Sequence, residues 1–216
     1  MNSMRIVMLG PPGSGKGTRA HLISEMYDIP IISTGDILRE TAENNNERGK
    51  KIRKILDRGK LVPSEIVNEL VKEKLHELDT ENGYILDGYP RNEEQFEALK
   101  KTLDERKEEL NYVLYVDIDD KILIERLSKR RTCPECGAVY HLKFNPPEED
   151  LICDQCGTKL IQRRDDKPKV IKKRLEVYRK ETQPLLEKYQ EKGLVKKIPG
   201  NVDLEALPCI IRGILG

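Results

Sequence analysis

Tryptophan is absent, phenylalanine occurs twice, and aromatic residues make up only 5% of the chain. So few rings leave little with which to stack bases. A formal net charge of +1 adds no bulk attraction to a polyanion, and the composition therefore disfavours nucleic acid as a partner. No apolar run approaches the about 20 residues of a membrane span. The N-terminal stretch passes into a strand pattern without the charged segment, apolar centre and cleavage site of an export signal. The expectation is a cytoplasmic protein with no membrane partner. Cysteine is scarce and odd in number, at five, which excludes a fully paired disulfide framework. What is abundant is charge of both signs, 39 Lys and Arg against 38 Asp and Glu, so any basic site must be local and offset elsewhere. With 216 residues, 37% of them hydrophobic, the chain is long enough for a substantial core.

Strand-like and helix-like runs alternate along the chain, as in βαβ units that close into a parallel sheet. The pattern predicts strands at Arg5–Leu9, Pro30–Ser33, Tyr84–Leu86, Tyr112–Val116 and Val195–Ile198. It predicts helices over Lys16–Tyr27, Gly35–Asn44, Arg48–Arg58, Pro63–Leu78, Asn92–Glu109, Asp119–Lys129, Lys167–Glu191 and Leu204–Leu215. Two segments break the alternation. Residues 34–62 set helix after helix with no strand between, and residues 133–160 are rich in Cys, Pro and Gly. Both read as insertions at the C-terminal ends of strands, where open α/β sheets bind ligands.

Directly behind the first strand stands GPPGSGKGT, residues 10–18. Small residues let backbone amides converge on anionic oxygens, the next helix offers its positive end, and Lys16 adds a point charge. A plain Gly/Pro turn is the bland alternative, but strand, spacing, lysine and helix all agree on a phosphate loop. One part departs from the usual pattern: Gly17 stands where a Ser or Thr hydroxyl would ligate Mg²⁺, and Thr18 comes one residue late. The ion must then be held mainly by nucleotide phosphates and water, with a carboxylate orienting that water. Asp87, which follows the third strand in YILDGYPRNEEQ, is so placed, although Asp-Gly is by itself an ordinary turn. Arg39, Arg91, Arg130, Arg163 and Arg174 each lie in a motif-like context. Taken singly, each reads equally as a solvated surface charge.

The cysteine spacing is the sharpest single signal: Cys133-x2-Cys136, sixteen residues, then Cys153-x2-Cys156, each pair followed by Gly. It suits a closed tetrahedral four-thiolate site that staples a loop, with zinc as first choice and ferrous iron second. Redox dithiols are the competing reading. Cys209 lies in an apolar run and is expected to be a small buried hydrophobe. His21, His76 and His141 match no ligand spacing.

From GPPGSGKGT through STGDILR, GKLVP, DGYPRNEEQ, RLSKRRTC and RRDD to VIKKRLEVYRKETQPL, the chain resembles adenylate kinase of the long-lid type with a four-cysteine zinc site. In that family Gly follows the lysine of the loop, so Gly17 agrees with it. The resemblance implies a three-layer α/β fold, a P-loop nucleoside monophosphate kinase core of 1–32, 63–128 and 167–216 with a central parallel sheet flanked by helices. It implies two mobile insertions, an AMP-binding arm at 33–62 and a metal-bearing lid at 129–166. The implied reaction is reversible transfer from MgATP to AMP giving two ADP, in the service of adenine nucleotide homeostasis. The enzyme is expected to be a monomer.

Residue by residue, the resemblance implies that Gly13, Ser14, Gly15, Lys16, Gly17 and Thr18 grip ATP phosphates, with Arg130 acting from the lid base. Val139, Tyr140 and Val202 would bracket the ATP base and ribose, though packing explains these three equally well. Thr34, Arg39, Lys60, Leu61, Val62, Gly88, Tyr89, Pro90, Arg91 and Gln95 would surround AMP, with Gln95 reading adenine. Arg163 and Arg174 would bridge both substrates, and the catalytic set would be Lys16, Asp87, Arg91, Arg130, Arg163 and Arg174. Three alternatives remain open at this point: a kinase for another nucleoside monophosphate, a non-catalytic nucleotide sensor, and a metal-ribbon nucleic-acid-binding ATPase.

Overall fold

A computed structural model describes residues 3–216, and the side chains of all of these but Asp120 and Lys121. Residues 1 and 2, which the expected core segment includes, lie outside the described residues. In chain order the elements are β1 (Met4–Leu9), α1 (Lys16–Tyr27), β2 (Ile31–Ser33), α2 (Thr34–Glu43), α3 (Glu47–Leu56), α4 (Ser64–Glu77) and β3 (Gly83–Asp87). There follow α5 (Glu93–Arg106), β4 (Tyr112–Asp117), α6 (Asp120–Ser128), β5 (Arg130–Thr132), β6 (Val139–His141) and α7 (Pro168–Val177). The chain closes with α8 (Leu185–Glu191), β7 (Val195–Pro199) and α9 (Leu207–Leu215).

Among the described residues, five strands form one parallel sheet in the order β2-β3-β1-β4-β7. Both faces of its central strand are buried: Ile6, Val7 and Met8 are fully inside and Leu9 nearly so. Alternate side chains therefore serve two different cores, as a parallel sheet covered on both sides requires. Val7 and Leu9 pack with Ile32, Tyr84, Leu86 and Val113 beneath α2, α3, α4, α5 and α8. Ile6 and Met8 pack with Ile85, Leu114, Val116 and Ile198 beneath α1 and α9. The result is the three-layer α/β arrangement read from the sequence.

Side-chain caps fix where the helices around the cleft begin. The side chains of Ser33, Asn46 and Asn92 accept from the amides of Asp36, Gly49 and Gln95 at the starts of α2, α3 and α5. Such caps contribute about 1 kcal/mol each.

The structure departs from the sequence reading in two places. The single helix expected over Lys167–Glu191 is instead α7, a π-helical turn at Tyr178–Thr182 and α8. Pro184 has no N–H to give the carbonyl four residues back, and the ladder shifts so that the Gln183 amide donates to Tyr178 O. Within the insertion read over 133–160, β6 pairs antiparallel with β5 to form a small hairpin, as the paired cysteines suggest. Cys209 is exposed, not buried. Leu207, Ile211 and Leu215 form the buried stripe of α9, and Cys209, two residues past Leu207, points away from it.

Candidate active site and metal centre

The parallel register brings the C-terminal ends of four strands to one edge of the sheet. Met8 of β1 and Ser33 of β2 both stand level with Asp87 of β3, and Leu9 stands level with Tyr115 of β4. From that edge emerge the glycine-rich loop, α2, the segment from Gly88 to Arg91, and α6. A cleft there is lined by residues that include Gly10, Lys16, Arg39, Lys60, Leu61, Gly88, Pro90, Arg91 and Arg174.

The loop ends at Gly15, the residue before α1, whose φ of 89° lies in the left-handed region. A Cβ there would also stand 2.6 Å from Nη1 of Arg19, so any larger residue would have to displace that guanidinium as well as strain the backbone. Ser14 is fully buried and contributes backbone, not an exposed hydroxyl. Lys16 folds back over the loop and donates from Nζ to Gly10 O at 2.8 Å and Pro11 O at 3.0 Å. Burial pulls its pKa down to about 8, with Asp87 opposing that shift and Arg91, Arg174 and Arg130 reinforcing it. A cation so placed is short of counter-charge, and an arriving phosphate supplies it. A Cβ on Gly17 would lie 3.6 Å from Asp87 Oδ2, so the residue lacking the hydroxyl faces the carboxylate expected to orient the metal's water.

The five arginines of the sequence reading converge on the same cleft. Burial and the neighbouring Arg174 depress the Arg91 pKa to about 10, while burial, Arg39 and Arg130 depress that of Arg163 to about 9. Burial is the larger cause in each, and the like charges that add to it mark these cations as near neighbours. Four carboxylates hold them there, three of which carried no assignment in the sequence reading. Asp166, fully buried, accepts from Arg130 Nε at 2.7 Å and Nη2 at 2.6 Å, and from Arg174 Nη1 at 3.1 Å. Asp165 pairs with Arg174 at 3.0 Å. Asp36 binds Arg39 and stands 4.0 Å from Arg163. Burial alone would raise Asp36 and Asp165, but the arginines keep both below the usual carboxylate range. Asp87 completes the four. Two of them stand in the RRDD motif beside Arg163 and Arg164, and only their burial sets them apart from the chain's many other neighbouring charges.

Around the segment after β3 the structure refines several assignments. Gly88 has φ 73°, and a Cβ there would meet Arg91 Nη2 at 2.6 Å. Thr34 is buried and donates to Gly88 O at 2.7 Å, which braces this turn. Tyr89, joined to Pro90 by a cis peptide, sends its side chain into the core, where Oη donates to Asn68 Oδ1 at 2.8 Å. Gln95 is buried, and its Oε1 accepts from the Arg91 amide at 2.8 Å, which leaves its NH₂ as the group that can read a base. Lys60 is exposed, Leu61 half-buried and Val62 buried, so along this stretch the backbone and Leu61 face the cleft.

Beyond the glycine-rich loop, two arginines that the sequence reading passed over hold the loop after β7. Arg19, buried, donates to Pro199 O at 2.6 Å and to Gly15 O at 3.2 Å. Arg126, four residues before Arg130 on α6, donates to Gly200 O at 2.8 Å and Asn201 Oδ1 at 3.3 Å. Both anchor the backbone beside the half-buried Val202. Val139 is exposed, whereas Tyr140 is buried and directed at the cysteines, not at the cleft.

The four paired cysteines come together. Cys133 and Cys156 Sγ are 3.4 Å apart, Cys136 and Cys153 Sγ 3.5 Å, and all four sulfurs fall within 4.8 Å of one another. A tetrahedral site with bonds of about 2.3 Å has sulfur–sulfur edges of about 3.8 Å, so this donor set fits a metal centre. Tyr140 Oη accepts from the Asp154 amide at 2.9 Å and lies 3.5 Å from Cys153 Sγ, where it donates to the sulfur and holds it down to about 6, toward the thiolate a metal requires. His141 accepts at Nδ1 from the amides of Lys143 and Phe144, and His21 and His76 are exposed.

Comparison with known proteins agrees with this geometry. A family model described as adenylate kinase matches residues 8–194. Over 214 residues the chain is 48% identical to an adenylate kinase of Caldanaerobacter subterraneus subsp. tengcongensis, covering 99% of this chain and 97% of that protein. It is 50% identical over 192 residues to one from Caldicellulosiruptor bescii, with 89% of each chain covered. It is 46% identical over 212 residues to one from Archaeoglobus fulgidus, with 98% of each covered.

Proposed function

This chain belongs to the adenylate kinase family, and we propose that it carries out the family's reversible transfer from MgATP to AMP on one cationic cradle built from Lys16, Arg39, Arg91, Arg130, Arg163 and Arg174. The observation that carries the reading is the gathering of cations at the carboxyl edge of the sheet, where Lys16 lies over the glycine-rich loop, Arg130 and Arg174 share the buried Asp166, and Arg39 and Arg163 flank Asp36. Cations held this close answer to a substrate pair that brings about four net negative charges to one place.

The acceptor dictates what the site does not need. An AMP phosphate, with a second pKa of about 6, is already anionic near neutrality, so no side chain has to abstract a proton. The work is positioning, charge neutralisation and exclusion of water. Arg39 and Arg91 hold the AMP phosphate. Lys16 and the amides of Gly13 to Thr18 hold the ATP phosphates, with Arg130 added from the lid base. Arg163 and Arg174 reach both, and their planar forks fix phosphate oxygens in line for transfer. Bound with the nucleotide, Mg²⁺ would neutralise phosphate charge, and Asp87 is the carboxylate that would orient its water. Because the ion must stay with phosphates that change owner, a fixed hydroxyl ligand at position 17 is dispensable.

Residues 33–62 act as the acceptor arm and 129–166 as the lid, two mobile insertions on the core. Contacts of Arg163 with Asp36 and of Arg164 with Asp57, at 4.0 and 3.8 Å, support their closing toward each other over the cleft. Closure keeps water from competing for the phosphoryl group. The four cysteines hold a structural Zn²⁺ in the lid, remote from the transfer. The enzyme works as a monomer in this reading. Substrates of this kind place the work in the cytoplasm, and no helix among the described residues is long and apolar enough to cross a membrane. Initial rates with AMP, CMP, UMP and GMP as acceptors test the reading: AMP should give the highest kcat/KM, and a higher value for another monophosphate would overturn it.

A further inference from the structure

Between α7, which carries Arg174, and α8 stands the π-helical turn at Tyr178–Thr182. Thr182 is buried, and its hydroxyl donates to Arg91 O at 2.7 Å across 91 residues of chain. Arg174 and Thr182 are eight residues apart, and in an unbroken α-helix, at about 100° per residue, they would lie about 80° from one another around the axis. A π turn closes on about 4.4 residues, or about 82° per residue, and this brings Thr182 within about 10° of the same face as Arg174. Both residues line the cleft together with Arg91.

We propose that Thr182 is a positioning residue for the acceptor phosphate, and that the π turn exists to set it on the Arg174 face, from which it fixes Arg91. The inference rests on the proposed assignment of Arg91 to AMP. Arg91 and Arg174 repel each other, and burial of both sharpens that repulsion. Holding them at one site needs restraint on the backbone of at least one. Arg91 has it at three points: its amide donates to Gln95 Oε1 at 2.8 Å, its carbonyl accepts from Thr182, and Nε donates to Gly88 O at 2.7 Å. Each of these uses the backbone or Nε, so the terminal nitrogens keep their donors for an anion. Of the three, the bond from Thr182 alone comes from the helical segment that bears the second arginine, so it sets one arginine relative to the other.

The near-isosteric Thr182→Val removes the hydroxyl and keeps the packing, whereas Thr182→Ser keeps the hydroxyl and loses a methyl group. Steady-state kinetics with each substrate varied, together with a melting curve, separate the cases. Loss of one neutral hydrogen bond should raise the KM for AMP roughly fivefold in Thr182→Val, leave the KM for ATP within about twofold, and be reversed in Thr182→Ser. If Thr182→Val lowers the melting temperature but moves neither KM, or if both KM values rise together, the positioning role is wrong. A wild-type chain that does not phosphorylate AMP would instead remove the assignment of Arg91 on which the proposal stands.

Discussion

Lys16 shows how a single buried charge becomes a measurable property. Its pKa of about 8 in the free protein rises once a phosphate lies against it. A group whose pKa is raised by the ligand contributes its full binding energy below the free value and loses it as pH rises through and beyond that value. The KM for ATP should therefore be insensitive to Lys16 below pH about 8 and climb above it. In Lys16→Met that climb should vanish along with most of the activity, because the charge acts on the transferring group more than on bound substrate. A pH profile of KM for ATP that stays flat to pH 10 in the wild type would contradict this. Gln95 makes a second test at the same scale. Its Oε1 is occupied by the Arg91 amide, so Gln95→Glu keeps an acceptor for that brace and exchanges the NH₂ proposed to read the base for a carboxyl oxygen. The preference for AMP over CMP should shrink in this variant, by initial-rate comparison. An unchanged ratio would move base reading to another residue.

At the scale of elements, the lid is the part of the chain that depends least on its own packing. β5 and β6 are three residues each, and the lid's buried cluster consists of Cys133, Tyr140, Cys153 and Leu160 with Ala138 against it. So small a core cannot order a hairpin alone, and metal–thiolate bonds must provide most of its stability. Elemental analysis should find about one zinc per chain. Chelation and Cys153→Ser should both lower the melting temperature, with only a modest loss of activity well below it. Metal-free protein that melts normally but does not turn over would place the metal in the chemistry instead. The Cys-x2-Cys pairs were legible because ligand spacing is local. So were the sheet strands, where runs such as Ile6–Leu9 and Tyr84–Leu86 are buried on both faces and need no partner to be recognised. The π turn was not legible, since the segment reads as helical throughout and only Pro184 marks the place where the ladder shifts. Nor were Asp36, Asp165 and Asp166, because in a chain so rich in both signs an acid beside an arginine is unremarkable until its burial is known.

Across the whole molecule, one edge of a five-stranded sheet carries both halves of the reaction, and the two insertions bring charge to it from opposite sides. The Gly17 departure, the absence of a general base and the surplus of arginine are consistent with a single account: two anionic substrates are pressed together, water is kept out, and the metal leaves with the product. That account is tested most directly by product stoichiometry. The purified chain is mixed with MgATP and AMP, and ATP, ADP, AMP and orthophosphate are quantified by chromatography as the reaction proceeds. The account predicts two ADP formed for each ATP consumed, no orthophosphate above background, and the same final mixture when the reaction starts from ADP. Orthophosphate released in step with ATP loss, with AMP unchanged, would contradict it.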